Sequence, residues 1–275
     1  MNKPGKGRWI RPTVQITFLM IVLLTAVGKG LKEAGFSLPF FEEASLHAIC
    51  PFGGVETLYS LFADGRLIQK IHSASVILML AVLVISLLFG PAFCGWICPF
   101  GTFQEYIGKI GKRLLGKRYN NLVPGKLDSI LRYLRYGVLA LVLYNTAVTA
   151  KLVFQNADPY YALFNMFSNE VAVTAYIALA VIAALSLVAE RPFCKYACPY
   201  GAVLGLFNLV RIFKIKRNAA TCTGCKSCDR SCPMNIEVSK RTTVYNHQCI
   251  SCLQCTSENG CVRENTVALQ AGRQK

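Results

Sequence analysis

The sequence predicts an α-helical membrane protein of four transmembrane helices, arranged as two parallel repeats and followed by a small cysteine-rich α+β domain. Three observations carry this. The 275-residue chain is 53% hydrophobic and only 16% charged, too apolar for an ordinary soluble domain. Four apolar stretches approach the roughly 20 residues that a helical span needs. Most of the 13 cysteines fall in one block at the C-terminal end.

The expected spans are about Thr13–Leu31, Ile71–Phe89, Ile130–Ala150 and Val171–Ala189. The first lacks a clear small-x-small cleavage site, and the other three make the chain membrane-bound regardless. The third carries Arg132 and Arg135 in its first turns, where long side chains snorkel to the interface. With the N-terminus inside, the inner segments 1–12, 91–136 and 190–275 hold 25 of the 30 Lys and Arg residues, and the outer segments 29–70 and 151–170 hold 5. Basic residues are retained on the cytoplasmic side. The chain is therefore expected as a multi-pass protein of a bacterial plasma membrane, with both termini and the cysteine-rich domain cytoplasmic. The net charge of +16 reads as basic loops, and no nucleic-acid partner is expected.

Each half of the membrane part reads as span, outer loop, span, a Phe-Cys-x3-Cys-Pro-aromatic-Gly motif and a basic amphipathic stretch. The motifs are FCGWICPFG at 93–101 and FCKYACPYG at 193–201. Both halves run in the same direction, so a repeat axis lies along the membrane normal. The outer loops echo each other, Cys50-Pro51-Phe52 against Asp158-Pro159-Tyr160. Proline suits the first position of a helix, where its missing N–H costs nothing. The residue before it becomes the cap, a role Asp158 fills well. Cys50, Cys98 and Cys198 would place sulfur at the positive end of a helix, which favours thiolate. Residues 102–115 and 202–215 then read as helices lying in the inner interface. The membrane domain is expected over 1–215 and the cysteine-rich domain over 216–275.

That second domain carries Cys222, Cys225, Cys228, Cys232 and Pro233. This is the bacterial two-cluster ferredoxin run, Cys-x2-Cys-x2-Cys-x3-Cys-Pro. A second run follows, Cys249, Cys252, Cys255 and Cys261. Three thiolates of each run serve one cube and the remote fourth closes the other. Cys222, Cys225, Cys228 and Cys261 are thus expected on a first 4Fe–4S cluster, and Cys249, Cys252, Cys255 and Cys232 on a second. A four-cysteine zinc site has no use for a third cysteine in each tight run. The second run is irregular: five residues separate Cys255 from Cys261, and no proline follows. The chain shows neither a GxGxxG after a strand nor a P-loop, which excludes nucleotide-driven chemistry.

Four spans, two Cys-x3-Cys-Pro motifs at the inner ends of spans two and four, and a C-terminal two-cluster ferredoxin-like domain together resemble the NapH/NosR family of polyferredoxin-like membrane proteins. The resemblance implies electron transfer between the quinone pool, or a cytoplasmic donor, and a redox partner outside. NapH-type members act as quinol dehydrogenase components, so the chain is expected as an oxidoreductase subunit of a larger redox complex. NosR-type members carry an outer flavin-binding domain with no counterpart in this sequence. The related CcoG type shares the cysteine motifs and is linked to copper reduction. A cupric reductase is therefore the alternative, and a redox sensor a third reading.

Two further sites are weighed from the residues. Cys94, Cys98, Cys194 and Cys198 converge if the repeats pack face to face, and would hold another iron–sulfur cluster or copper on soft thiolates. The bland alternative is four half-buried cysteines that shape helix ends. Cys50 with His47 is the speculative outer site: a cofactor ligand, a quinone-site group or a contact for a flavin or haem partner. Its bland reading is a capping cysteine beside a solvent-side histidine.

Overall fold

A computed structural model describes residues 7–33, 73–149, 158–167, 171–263 and 265–272. Eleven α-helices, two short 3-10 helices (Gly116–Arg118 and Gln254–Thr256) and two strands are described. In chain order the helices are α1 (Gly7–Glu33), α2 (Ser73–Phe89), α3 (Ala92–Trp96), α4 (Pro99–Leu115), α5 (Gly125–Leu131), α6 (Leu134–Thr149), α7 (Pro159–Phe164), α8 (Val173–Ser186), α9 (Pro192–Tyr196), α10 (Pro199–Val210) and α11 (Ser227–Arg230). Strands β1 (Phe213–Arg217) and β2 (Val267–Ala271) pair antiparallel, Phe213 opposite Ala271 and Arg217 opposite Val267.

Proline and glycine set the boundaries. Pro99 and Pro199 occupy the first turns of α4 and α10, with Cys98 and Cys198 as their caps. Pro159 opens α7 behind Asp158, whose side chain accepts from the Tyr160 N–H at 3.0 Å. Gly90 ends α2 at φ 82°, a left-handed position that glycine adopts without steric cost.

One described helix is long and apolar enough to cross a membrane, Trp9–Leu31 within α1. The other expected spans are shorter as described. α2 has 17 residues and α8 has 14, about 21 Å against a hydrocarbon core of roughly 30 Å. The expected span from Ile130 breaks at Arg132 and Tyr133. There Arg132 bonds the Asp128 carboxylate and the Asn235 carbonyl, and its own carbonyl accepts from Gln248 Nε2. Arg135 does not snorkel. It is 2% exposed and bonds Tyr136 and His247. The expected helix over 202–215 stops at Val210, because Phe213–Arg217 is recruited by β2 into the sheet. Strand β1 therefore runs across the 215/216 boundary.

Helix packing runs both within each half and between the halves. α1 packs on α4, and α6 on α10; α2 packs on α10, and α8 on α4. Apolar side chains face outward on all four long helices, including Ile21, Ile77, Leu141 and Ile177. The C-terminal domain has its own core of Ile215, Met234, Ile236, Val238, Val244 and Val267. It is tied to the helices by Trp96 Nε1 donating to the Ser251 carbonyl and by Ser251 Oγ donating to the Phe89 carbonyl.

A buried ion pair network fixes the junction of the halves. Glu105 accepts from Arg11 at 2.6 Å and from Arg191 at 2.5 Å. Arg191 also donates to the Cys94 carbonyl, and Arg11 to the Gly95 carbonyl at 3.1 Å. Burial pushes the Glu105 carboxyl up, but Arg191 and then Arg11 outweigh it and hold it at about 2. Removing one partner of such a pair leaves an uncompensated buried charge.

Two predictions follow from this packing. Glu105→Gln should lower stability by about 3–5 kcal/mol, read from denaturant unfolding in detergent. Since the Glu105 pKa is depressed on folding, its contribution is present above pH 4.5 and is lost as pH falls towards 2. Unfolding of the Glu105→Gln protein should lack that part of the acid dependence. In the second, a Cβ on Gly95 would meet the Ile250 carbonyl oxygen at 2.5 Å and Cys252 Cα at 3.1 Å, both backbone. Gly95→Ala should therefore cost about 1–3 kcal/mol and loosen the C-terminal domain from the helices, read as faster proteolysis of the linking strand.

Candidate metal-cluster sites

The two ferredoxin-like runs fold into the same turn. Gly224 and Lys226, at φ 71° and 54°, flank Cys225; Ser251 and Leu253, at φ 47° and 55°, flank Cys252. Three of these four are not glycine, at a cost of about 1–2 kcal/mol each. Left-handed residues beside right-handed ones turn successive N–H groups towards one point, an anion-binding arrangement.

Cys222, Cys225, Cys228 and Cys261 line one cavity. Cys232, Cys249, Cys252 and Cys255 line a second, walled by Ile215, Met234, Ile236 and Val244. Each cavity takes three cysteines from one run and the remote fourth from the other. The longer Cys255–Cys261 spacing forms a loop in which the Gly260 N–H donates to the Ser257 carbonyl at 2.8 Å. The two cavities differ in exposure. The N–H of Gly224, then Arg217, holds the Cys222 thiol below its usual range, and the N–H of Ser227, then the Thr223 hydroxyl, does so for Cys225. Burial pushes Cys232 up to about 12 and Cys252 to about 11.

Cys94, Cys98, Cys194 and Cys198 all line a third cavity of about 70 Å³. The two motifs interlock around it. Phe93 meets Tyr200 edge-on at 6.1 Å, and Phe193 meets Phe100 edge-on at 5.2 Å, so each motif's leading phenylalanine packs on the ring that follows the other motif's proline. Gln104 of α4 reaches across: its amide oxygen accepts from the Phe193 N–H at 3.1 Å and its nitrogen donates to Cys194 Sγ at 3.5 Å. Cys198 Sγ accepts from the Gly201 N–H at 3.2 Å.

The helix ends do not make these cysteines thiolates unaided. Burial pushes Cys98 up to about 12, and burial with the neighbouring sulfurs raises Cys94 and Cys198 as well. Four thiols in one apolar cavity stay protonated until a cation takes the protons' place. Positive charge stands ready: Arg135 lines the cavity with its Nε unpartnered, and Arg191 is bonded to the Cys94 carbonyl. Gln248 Oε1 is likewise buried without a partner. Among the described residues, no three His, Cys, Asp or Glu side chains close to the spacing of ligands on a single ion.

Cys249 and Ile250 line both this cavity and the second ferredoxin-like one. Arg211, 1% exposed, stands at the junction, with Nη1 at 3.7 Å from Cys249 Sγ and 2.8 Å from Ser251 Oγ. His247 also lines the third cavity. Its Nδ1 faces Arg135 and Tyr136 at 2.9 Å each, and burial with the charges of Arg135 and Arg132 lowers its pKa to about 4, so the ring is neutral.

One lining residue was not anticipated there. Asp158, expected on an outer loop, faces the four thiols, because α7 enters the bundle beside Val22 of α1 and Phe100 of α4. The echo of the Cys-Pro motifs in Asp158-Pro159-Tyr160 was the available signal. Cys50 and His47 lie outside the described residues.

A family model described as a 4Fe-4S binding domain matches this chain twice, at residues 71–118 and 171–218, each match containing one Cys-x3-Cys-Pro motif. The chain is 32% identical over 226 residues to the "Putative electron transport protein YccM" of Escherichia coli, covering 80% of this chain and 62% of that protein. It thus spans less than two thirds of that relative. It is 31% identical over 218 residues to an uncharacterized protein of Methanocaldococcus jannaschii, covering 79% of this chain and 86% of the relative. The "Ferredoxin-type protein NapH" of Haemophilus influenzae is 31% identical over 185 residues, 63% of this chain and 61% of that protein. No solved structure matches. With its paired 4Fe-4S binding matches and these relatives, the chain belongs to the NapH/NosR-type family of polyferredoxin-like proteins.

Proposed function

We propose that this protein is a membrane-bound iron–sulfur electron-transfer subunit with three cluster sites in series. The first is at Cys222, Cys225, Cys228 and Cys261, the second at Cys249, Cys252, Cys255 and Cys232, and the third at Cys94, Cys98, Cys194 and Cys198. The observation that carries the reading is the shared wall: Cys249 borders both the second and the third cavity. The residues present suit an anionic cluster. Each site offers four soft thiol donors. The turns aim N–H groups at sulfur, and Arg135, Arg191 and Arg211 supply buried positive charge at the inner sites. A 4Fe–4S cluster supplies one-electron storage at each site. The chain's own part is to hold the clusters close together, exclude water and set their potentials through those N–H groups and guanidiniums.

The membrane end of the chain exchanges electrons with quinone or with an outer-face redox protein of flavin or haem type. Family membership supports this, as does a third site placed among helices whose outward faces are apolar. Four spans in two parallel repeats account for the matching contacts within each half, α1 on α4 and α6 on α10, and for the matching contacts across them, α2 on α10 and α8 on α4. The basic inner segments favour a ferredoxin-like domain over about 213–275 on the cytoplasmic side of the membrane domain. A copper-handling cupric reductase remains the second reading; that no three donors among the described residues close to the spacing of a single ion favours a multi-iron cluster over one copper ion.

Iron and acid-labile sulfide per chain test the proposal. Anaerobically purified protein should hold about twelve irons, four per cube. Cys198→Ser should bring this to about eight while the EPR signals of the other two clusters persist. Eight irons in both proteins would contradict a third cluster, and copper recovered only with intact Cys98 and Cys198 would favour the second reading.

A further inference from the structure

We infer that the exposed edge of the first cluster site, around Cys225, is a docking face for an acidic one-electron carrier protein. This rests on the reading that the cavity of Cys222, Cys225, Cys228 and Cys261 holds a cluster, and goes beyond it by naming the kind of partner that meets it.

Exposure singles out this edge. Cys225 is the exposed cysteine among the described residues, whereas Cys228, Cys249 and Cys255 are buried at 7%. Cys94, Cys98, Cys194 and Cys198 are half-buried and line a cavity among the helices. An electron passing between this row of sites and the water phase has its shortest exit at Cys225.

The surroundings of that exit are basic. Lys226 and Arg263 line the site, and both are exposed. Arg230, also exposed, donates to the Cys225 carbonyl at 3.1 Å, and Arg217 bonds the Cys222 side chain. Among the described residues these four cations outnumber the nearby carboxylates, Asp229 and Glu258. Asp229 is turned inward, accepting from the N–H and hydroxyl of Ser239. Glu258 stands on the loop whose Asn259 carbonyl accepts from Ser227. Val262, next to Cys261 and 75% exposed, gives the face an apolar centre. An apolar spot within a charged rim matches the anatomy of a specific interface, and the positive rim fixes the partner's sign. Electrostatic steering of this kind raises encounter rates about 10–1,000-fold and fades with salt. The exchange needs no bond change: the reduced carrier loses one electron and the cluster gains it, with no proton taken up at this face.

The test uses the full chain in detergent, with clusters verified by EPR. An acidic flavodoxin in its hydroquinone form is mixed with the oxidised protein by stopped flow, and a photoreduced deazaflavin serves as the small reductant. The expected second-order rate with flavodoxin falls at least about tenfold in Lys226→Glu/Arg263→Glu, and by a similar factor in the wild type as salt shortens the Debye length from about 30 Å at 0.01 M to about 8 Å at 0.15 M. Reduction by deazaflavin should stay within about twofold in Arg263→Glu, whose side chain is exposed and lies outside the cluster turn. Because Lys226 sits in the cluster turn, Arg263→Glu alone is the second variant, with an intermediate loss expected. A flavodoxin rate insensitive to salt and to both variants, with EPR signals intact, overturns the docking face. Wild-type protein that shows no cluster signal overturns the underlying reading as well.

Discussion

The arrangement depends on one buried carboxylate. Glu105 sits between Arg11 of α1 and Arg191, the residue that precedes the second Cys-x3-Cys-Pro motif, and both guanidiniums also hold carbonyls of the first motif. Three distant segments meet at one side chain. This clamp joins the interlocked rings and the Gln104 bonds in holding the two motifs face to face, so that four thiols share a cavity. A second network serves the other motif: Asp128 accepts from Lys195 at 2.7 Å and from Tyr196 at 2.5 Å, both inside that motif, and is paired with Arg132. Both carboxylates come from the segment between the motifs, so the first half of the chain positions the second. Buried ion pairs are costly to assemble, and their well-attested use is to fix a unique arrangement.

From this clamp follows a gradient of environment along the cysteine sites. The outermost has an exposed thiol, cysteines with lowered pKa values and a basic rim. The middle site is enclosed by aliphatic side chains, and the innermost by phenylalanine rings. Cys225 is exposed, Cys249 and Cys255 are buried and the four motif thiols are half-buried, and the enclosed thiols are the ones that need compensating charge. The buried arginines answer this need: Arg211 stands beside Cys249, and Arg135 and Arg191 beside the innermost four thiols. On the proposed three-cluster reading, sites that differ in burial and nearby charge have potentials that are set individually, since cluster potentials respond to hydrogen bonds at sulfur and to solvent exposure.

Much of this was legible in the sequence, for definite reasons. Cysteine spacing is short-range information, so the two ferredoxin-like turns and their placement at 222–228 and 249–255 could be read directly. The Cys-Pro pairs gave the starts of α4 and α10 because a proline's preference for a first helical turn needs no tertiary context. Long-range electrostatics was not legible. Nothing local to Arg135 distinguishes a snorkelling side chain from one 2% exposed against His247, and nothing local to Asp158 says that its loop enters the bundle. The prediction of thiolate at Cys98 failed for a related reason. It weighed the helix end and could not weigh desolvation by a cavity built from the other half of the chain. Residues 213–215 carry a helical expectation because their strand partner, Val267–Ala271, lies some fifty residues on.

The central claim is that a metal centre bridges the two repeats between Cys94, Cys98, Cys194 and Cys198. Anomalous scattering at the iron absorption edge, from crystals of anaerobically purified protein, tests it most directly. The account predicts three iron peaks: two in the C-terminal domain and a third among those four sulfurs, next to Cys249. Two peaks, with the four thiols empty of any metal, would contradict it.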